Sequence, residues 1–409
     1  MAKRHSYNQG RPQRAGGRQQ GKTQYDQDAF DEYLPPPAKL KKRRRWPKVL
    51  IALALVVCLL GGGVFFLLRY IRGDVLDPGL LGTIFQTGPR EYSKKDVVHL
   101  LIIGIDNEDG RDYGAGLGLT DMILYARYNI KDNQLSLLQI PRDSYVGEDL
   151  PTGGTGHINA LLISGSDKEN PINNLAASIQ QQFKLPVDHY VALDMEALRA
   201  IVDTFGGLQV YVPREMEYRG SYLAQGWNWL DGAGADFFVR NRHGAGFERA
   251  DIDRLDNQRH FYSALFRRLL NLTPIDIVNL LPVFDYYCNT DMDFDSDMVA
   301  LAVAALNLKS ENVVFCKAPG ATGMDDPGGR GRSLYILDLY GRGTEQDPGL
   351  AWILNQYFRD PEKPVPAEEL LLPQVRIPDS VPLYPPNIQS MAEVQGPEGG
   401  SDVDVEPHA

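Results

Sequence analysis

The chain has 409 residues, 43% of them hydrophobic and 23% charged, and a formal net charge of −11 at pH 7. That composition suits a folded protein of one large or two modest domains. Three cysteines and the lack of any Cys/His cluster at zinc-ligand spacing exclude a disulfide-built scaffold and a zinc module.

The net charge conceals a division. Residues 1–48 hold 13 Lys and Arg against 4 Asp and Glu, and the rest of the chain holds 29 against 49. Such a split indicates two parts in different surroundings. The first 48 residues are rich in Gln, Arg, Gly and Pro and include Pro35-Pro36-Pro37. They bury too little apolar surface to fold, so a disordered basic tail is expected. Contact with anionic lipid headgroups explains its charge better than nucleic-acid binding, and no nucleic-acid partner is expected.

Residues 49–68 follow, twenty positions without a charge. At about 1.5 Å per residue a helix there spans roughly 30 Å, the hydrocarbon thickness of a bilayer. Lys41, Lys42, Arg43, Arg44, Arg45 and Lys48 precede it closely, and only Arg69 and Arg72 follow. The bias predicts a single-pass span with a cytoplasmic N-terminus and an extracellular C-terminal part. A buried core helix is rarely apolar on every face, and a cleaved signal peptide needs a shorter apolar region with a small-residue site. Residues 69–95 have no sustained pattern and are expected to form a stalk before a domain over 96–360.

Within that domain, residues 97–105 are a near-continuous apolar run, the signature of a strand covered on both faces. Strands are predicted at 122–128 and 135–140, joined as a hairpin through Lys131-Asp132-Asn133. Residues 171–183 predict a helix and 189–193 a strand. A second helix over 195–205 is capped by Asp194 and stopped by Gly206-Gly207. Further strands are predicted at 208–212, 237–240 and 313–315, with helices at 251–270 and 298–306. Cys288 and Cys316 could bridge outside the cell, but two buried thiols are the simpler reading. The Pro-, Glu- and Asp-rich segment 361–409 is expected to be a disordered acidic tail. Alternating strands and helices imply an α/β layered architecture.

Polar residues gather at the ends of these elements. Asp106 ends the first strand, where open α/β sheets place ligands, and Asp121 opens the second. Each alone reads equally well as a cap or turn residue; together they could share a hard divalent cation such as Mg²⁺. Arg142 follows Pro141, with Asp143 beside it. Arg240 and Arg242 are two apart, so an extended backbone would point both to one face. Arg254 and Gln258 are four apart on one face of the long helix. Guanidinium groups bind phosphate oxygens in bidentate fashion, and several with a metal would suit a pyrophosphate. Surface ion pairs are the plainer alternative, and spacing alone leaves both open.

The motifs in order are Gly104-Ile105-Asp106, Thr120-Asp121-Met122, Ile140-Pro141-Arg142-Asp143-Ser144-Tyr145-Val146 and Ile158-Asn159-Ala160. After them come Asp188-His189-Tyr190-Val191, Val202-Asp203-Thr204-Phe205-Gly206-Gly207, Leu230-Asp231-Gly232, Val239-Arg240-Asn241-Arg242 and Asp251-Ile252-Asp253-Arg254 with Gln258. This series resembles the LytR-CpsA-Psr family. The resemblance implies a three-layer α-β-α sandwich with a mixed central sheet, preceded by one transmembrane helix. It also implies a Mg²⁺-dependent phosphotransferase of the cell envelope, with Mn²⁺ as a possible substitute. Such a protein moves a glycopolymer, such as teichoic acid or capsular polysaccharide, from undecaprenyl pyrophosphate to peptidoglycan through a phosphodiester. Carried over by position, Asp106 and Asp121 would hold the metal. Arg142, Arg240, Arg242, Arg254 and Gln258 would grip the pyrophosphate, with His157 in the binding set and Asp143 orienting Arg142.

Three positions depart from the family pattern. Leu119 stands where an arginine is usual, His157 where a lysine is, and Asn257 where an arginine often precedes the glutamine; Arg111 is the nearby candidate to replace the first. These departures motivate one alternative, a non-catalytic polyprenyl-glycan-binding or regulatory protein; a pyrophosphate-lipid hydrolase, with water as the acceptor, is a second. Apolar residues within 171–205 could line a groove for a polyprenyl chain, although plain core is the better reading. The alternating Asp291, Asp293, Asp295 and Asp297 resemble a calcium loop but lack its glycine and closing glutamate. Residues 328–332, Gly-Gly-Arg-Gly-Arg, lack the lysine and strand context of a phosphate loop and are expected to be a mobile loop.

Overall fold

The computed structural model describes residues 95–106, 118–243, 247, 251–271, 308–344 and 347–394, with short stretches between 276 and 301. All belong to the unit Val75–Ala409. The expected basic tail, membrane segment and stalk lie outside the described residues, save Lys95, as does the predicted helix 298–306, save Leu301. Among the described residues no helix is long and apolar enough to cross a membrane.

Three strands form the centre: β1 (Val97–Asp106), β2 (Leu119–Asn129) and β3 (Gln134–Gln139). β1 pairs antiparallel with β2, and β2 with β3 through the predicted Lys131-Asp132-Asn133 turn, where Asn133 takes φ 49°. After helix α1 (Ile172–Gln182), β4 (His189–Asp194) joins β1 in parallel. Helix α2 (Met195–Thr204) follows at once, with the Asp194 carboxylate accepting from the Ala197 amide at 2.7 Å as its N-cap. The chain continues through β5 (Leu208–Val212), β6 (Met216–Tyr218), β7 (Ser221–Leu223) and β8 (Gly226–Leu230) to α3 (Gly232–Arg240) and α4 (Asp251–Leu270). Strands β9 (Asn289–Thr290) and β10 (Val313–Lys317), the pair β11 (Gly320–Ala321) and β12 (Ile336–Leu337), and β13 (Gln389–Ser390) complete it. The central sheet has seven strands in the order β13-β10-β3-β2-β1-β4-β9 and is mixed.

Alternation along the strands feeds two cores. Leu101, Ile103 and Ile105 of β1 face one side, with Ile123 and Tyr125 of β2, and pack under Leu175 and Ile179 of α1 and the helical segment 350–358. Leu124, Ala126 and Tyr128 face the other side, with Leu135 and Leu137 of β3, under α2, α3, α4 and the small β5–β8 sheet. Fully burying one such side chain stabilises by about 1.5–3 kcal/mol. The result is the expected helix–sheet–helix layering on a mixed sheet. Ile172, Leu175 and Ile179 are at most 1% exposed, so this apolar stretch is core.

Three expectations are corrected. Residues 237–240 are the last turn of α3 rather than a strand. The Asp231 carboxylate caps this helix by accepting from the Gly234 amide at 2.7 Å, and Ala235, Phe238 and Val239 bury at helical spacing. The segment from 361 on is not a free tail as far as Val394. β13 pairs antiparallel with β10, and Met391 and Val394 sit in the second core. Residues 328–332 are tied down, because Asp326 accepts from the Gly328, Arg330 and Arg332 amides and pairs with the Arg332 side chain at 2.7 Å. Cys288 and Cys316 are free thiols, each pushed up to about 12 by burial. From the calcium-like run, Asp291 instead accepts from the Tyr190 amide at 2.9 Å; its later aspartates lie outside the described residues.

Candidate functional site

The carboxyl ends of β1 and β3 and the start of β2 converge on one edge of the sheet, where Asp106 and Asp121 emerge. Their proximity depends on a register break. Gly104 pairs with Met122, but Ile105 pairs with Thr120 and Asp106 with Leu119, so Asp121 is the extra residue of a β-bulge. In unbroken register Asp121 would oppose Ile105 and point into the first core. The bulge returns it to the other face, where it shares a cavity of roughly 760 Å³ with Asp106 and Leu119. Gly104 permits this crossing, since a Cβ there would lie 2.9 Å from the Met122 Cβ.

Arginines from three further places reach the same cavity. Arg142 and Asp143 sit in a turn after β3, closed by the Ser144 hydroxyl donating to the Pro141 carbonyl at 2.6 Å. Arg142 Nη1 donates to Asp121 Oδ1 at 2.5 Å, and its Nε lies 3.5 Å from Asp143 Oδ1, so one carboxylate aims it and the other flanks it. Arg254, on the first turns of α4, is 2% exposed and brings Nη1 to 3.5 Å from Asp121 Oδ2. Arg240, at the end of α3, lies 3.8 Å from Asp106 and 3.7 Å from Asp236, which also holds Arg199 at 2.6 Å. Arg242 is exposed on the segment that leaves α3. The expected shared face of Arg240 and Arg242 is met by a helix end and the extended residue after it. His157 lines the cavity with Nδ1 3.7 Å from Asp143 Oδ1, its other ring nitrogen lying 3.0 Å from the Ser333 carbonyl.

Gln258 does not reach the cavity. It is buried, donates to the Val239 carbonyl at 3.1 Å and accepts from Gln139 at 3.1 Å and Tyr262 at 3.3 Å. It therefore pins α4 to the end of α3 and to β3, a positioning role for Arg240 rather than a ligand role. Asn257 is also buried, with its amide 3.9 Å from the Met216 sulfur, so its departure from the family pattern removes nothing from the cavity wall seen here. Arg111 lies outside the described residues.

Several motif residues serve to place α3. The Gly232 amide donates to Asp203 at 2.7 Å, joining the Asp203 and Gly232 motifs. A Cβ on Gly232 would meet the Arg199 carbonyl at 2.7 Å, so only glycine allows α2 and α3 this close. Asp188 anchors β4 to β1 by accepting from the His99 amide at 2.9 Å. Burial opposes its charge, but the His99 ring and amide and Lys95 overcome that and hold the carboxyl well below the usual range.

The cavity also holds Asn159 of the Ile158-Asn159-Ala160 motif and residues that no sequence pattern marked: Tyr218, Arg219, Ser221, Asp236 and His243. Tyr218, Arg219 and Ser221 come from the β6–β7 hairpin, whose three-residue strands are too short to show alternation. The available signal was Arg219-Gly220, a turn dipeptide between two aromatic-bearing segments.

The donor set suits a hard divalent cation. Asp106 and Asp121 offer carboxylate oxygens from paired strand ends, and Mg²⁺ commonly takes one or two carboxylates with waters and substrate phosphates. Among the described residues no group of three or more His, Cys, Asp or Glu side chains could hold a metal. A cation here would therefore rely on substrate and water for its remaining ligands.

Comparison with known proteins agrees with this architecture. The LytR_cpsA_psr family model matches residues 84–338, beginning inside the expected stalk. Similar proteins include the polyisoprenyl-teichoic acid–peptidoglycan teichoic acid transferase TagU of Oceanobacillus iheyensis. It is 29% identical over 264 residues, covering 62% of this chain and 80% of that protein. The Bacillus subtilis TagU is 26% identical over 261 residues, covering 63% and 80%. Among solved structures, B. subtilis TagV matches with a TM-score of 0.50 at 22% identity, over 60% of this chain and 92% of that one. Protein gbs0355 from Streptococcus agalactiae gives 0.51 at 18% identity, over 66% and 89%. These two likenesses concern the fold alone. With a family model matched across more than half its length, the chain belongs to the LytR-CpsA-Psr family.

Proposed function

We propose that this protein is a phosphotransferase that moves a glycopolymer from a polyprenyl-pyrophosphate carrier to peptidoglycan. The observation that carries this reading is the convergence of Arg142, Arg240, Arg242 and Arg254 with Asp106 and Asp121 on one cavity, in an otherwise acidic chain. The names of the matched relatives, teichoic acid transferases acting between a polyisoprenyl carrier and peptidoglycan, support the same substrate class.

The transfer forms one P–O bond and breaks another. An acceptor hydroxyl oxygen attacks the glycan-bearing phosphorus, the bridging P–O bond breaks, and polyprenyl phosphate leaves with the electron pair while the hydroxyl proton passes to a base. Charge grows on the leaving and transferred phosphates, and preorganised guanidinium groups stabilise it most where water is scarce. Buried Arg254 meets that condition, and Arg142, fixed between Asp121 and Asp143, keeps its donors aimed without reorganising. A Mg²⁺ ion held by Asp106 and Asp121 would add Lewis-acid neutralisation of phosphate charge. Residues 49–68 anchor the chain in the cell membrane, with the N-terminus cytoplasmic and the domain outside, within reach of a donor that cannot leave the bilayer.

The test is the full-length protein in detergent with a polyprenyl-pyrophosphate glycan and peptidoglycan fragments, with and without Mg²⁺, read by mass spectrometry. A metal-dependent phosphodiester adduct, lost in Arg142→Ala, is expected. Donor binding without an adduct under any metal condition would favour the glycan-binding reading, which Leu119 opposite Asp106 motivates. Release of free phosphorylated glycan would instead mark a hydrolase.

A further inference from the structure

The arginines of the cavity fall into two groups. Arg142, Arg240 and Arg254 each face a carboxylate. Arg219 and Arg242 line the same cavity, are exposed, and make no ion pair with any described residue. The positive charge not already matched by protein carboxylates therefore stands on the solvent-open side.

Arg219 is held there by a backbone that arginine does not favour. β6 and β7 are joined by Arg219-Gly220, with Tyr218 paired to Ser221. Both turn residues have positive φ, 52° and 87°, the pattern of a type I′ hairpin turn. That turn prefers Asn or Gly at its first central position, because a larger side chain crowds the backbone in the left-handed region. A disfavoured residue held in a cavity wall points to a use beyond the fold. The Arg219 guanidinium lies 5.1 Å from the centre of the Tyr218 ring, and Tyr218 stacks on His243 at 4.6 Å and 28°. Tyr218 thus ties the hairpin to the segment that carries Arg242. The exposed Ser221, across the turn, adds a hydroxyl donor to the cavity.

We propose that Arg219 and Ser221, on the hairpin beside the pyrophosphate-gripping arginines, form a second oxyanion subsite that takes a phosphodiester of the glycopolymer itself, apart from the pyrophosphate. A guanidinium and a hydroxyl on one hairpin match phosphate oxygens. Their exposure lets a polymer continue into solvent, which a closed pyrophosphate grip would not. The choice of ligand rests on the transferase reading; the presence of an anion subsite does not.

The experiment measures binding to the full-length protein in detergent by calorimetry, with three probes: farnesyl pyrophosphate, an oligo(glycerol phosphate) and a muramyl dipeptide. Arg219→Asn supplies the residue the turn prefers, so its melting temperature should match or exceed that of the wild type. Oligo(glycerol phosphate) binding should nevertheless weaken by roughly tenfold to a hundredfold, the loss expected for a charge-assisted pair. Farnesyl pyrophosphate should lose at least tenfold less, and Arg142→Gln should show the reverse preference. Arg219→Lys should keep most of the affinity. Equal losses on both phosphate probes, a loss confined to the muramyl peptide, or no loss would each overturn the subsite, as would a wild type that fails to bind oligo(glycerol phosphate). If the wild type ignores farnesyl pyrophosphate yet binds the phosphodiester through Arg219, the transferase reading falls and the subsite stands.

Discussion

Asp121 meets two guanidinium groups at once, Arg142 at 2.5 Å and the buried Arg254 at 3.5 Å. Breaking a buried pair by deleting one partner costs on the order of 3 kcal/mol, because the remaining charge loses its compensation. Asp121→Ala is therefore expected to lower the unfolding free energy, read from urea denaturation, by that much while abolishing transfer, whereas Asp106→Ala, beside the more exposed Arg240, should lose transfer at little cost in stability. His260 gives a second residue-level expectation. Burial, with Arg259 adding to it, pushes the His260 ring down from 6.5 to about 4. The unfolded chain then binds a proton that the folded chain refuses, so stability present above about pH 6.5 is lost as pH falls towards 4. The slope of stability against pH in that window should flatten in His260→Gln, as followed by chemical denaturation at several pH values.

At the scale of elements, α3 shows how a motif acts through geometry. Its far end carries Arg240, and its near end is set by Asp231 as cap and by Gly232 pressed against α2. Asp231→Ala should cost about 1 kcal/mol, the usual value of a lost N-cap. Gly232→Ala should cost about 1–3 kcal/mol, because its new Cβ would meet the Arg199 carbonyl and the Asp203 carboxylate, both at 2.7 Å. Thermal melts check stability, and the adduct assay should show transfer falling in Gly232→Ala as Arg240 shifts. Phe237, Phe238 and Val239 favour a strand locally, which is why residues 237–240 predict one. The helical spacing of buried Ala235, Phe238 and Val239 was also in the sequence, and the Asp231 cap decides between them.

At the scale of the molecule, the C-terminal segment closes the sheet. β13 lies along β10, the Met391 amide donates to the Val313 carbonyl at 2.7 Å, and the Ser263 hydroxyl donates to the Met391 carbonyl at 3.3 Å. Met391 is fully buried, so Met391→Ala should cost about 2–5 kcal/mol. A chain ending at Asn387 should melt lower still, since it exposes the β10 edge and the core beneath Met391; differential scanning calorimetry checks both. This order was not readable from composition, because residues 361–394 have no periodic pattern and are ordered by the surface they cover.

What the sequence determined by itself was local and ordered. Apolar runs and a turn signal located β1, β2 and β3, cap chemistry placed Asp194 at the head of α2, and the succession of motifs marked the family and most of the site. What the tertiary structure alone decided turns on register and long-range contact. A one-residue bulge put Asp121 beside Asp106 instead of in the core, packing between α4, α3 and β3 took Gln258 away from the cavity, and a short hairpin brought Arg219 into it. The physical reason is the same in each case. Side-chain periodicity is written in neighbouring residues, but a register slip or a turn delivered across the fold is selected by partners far away in the chain.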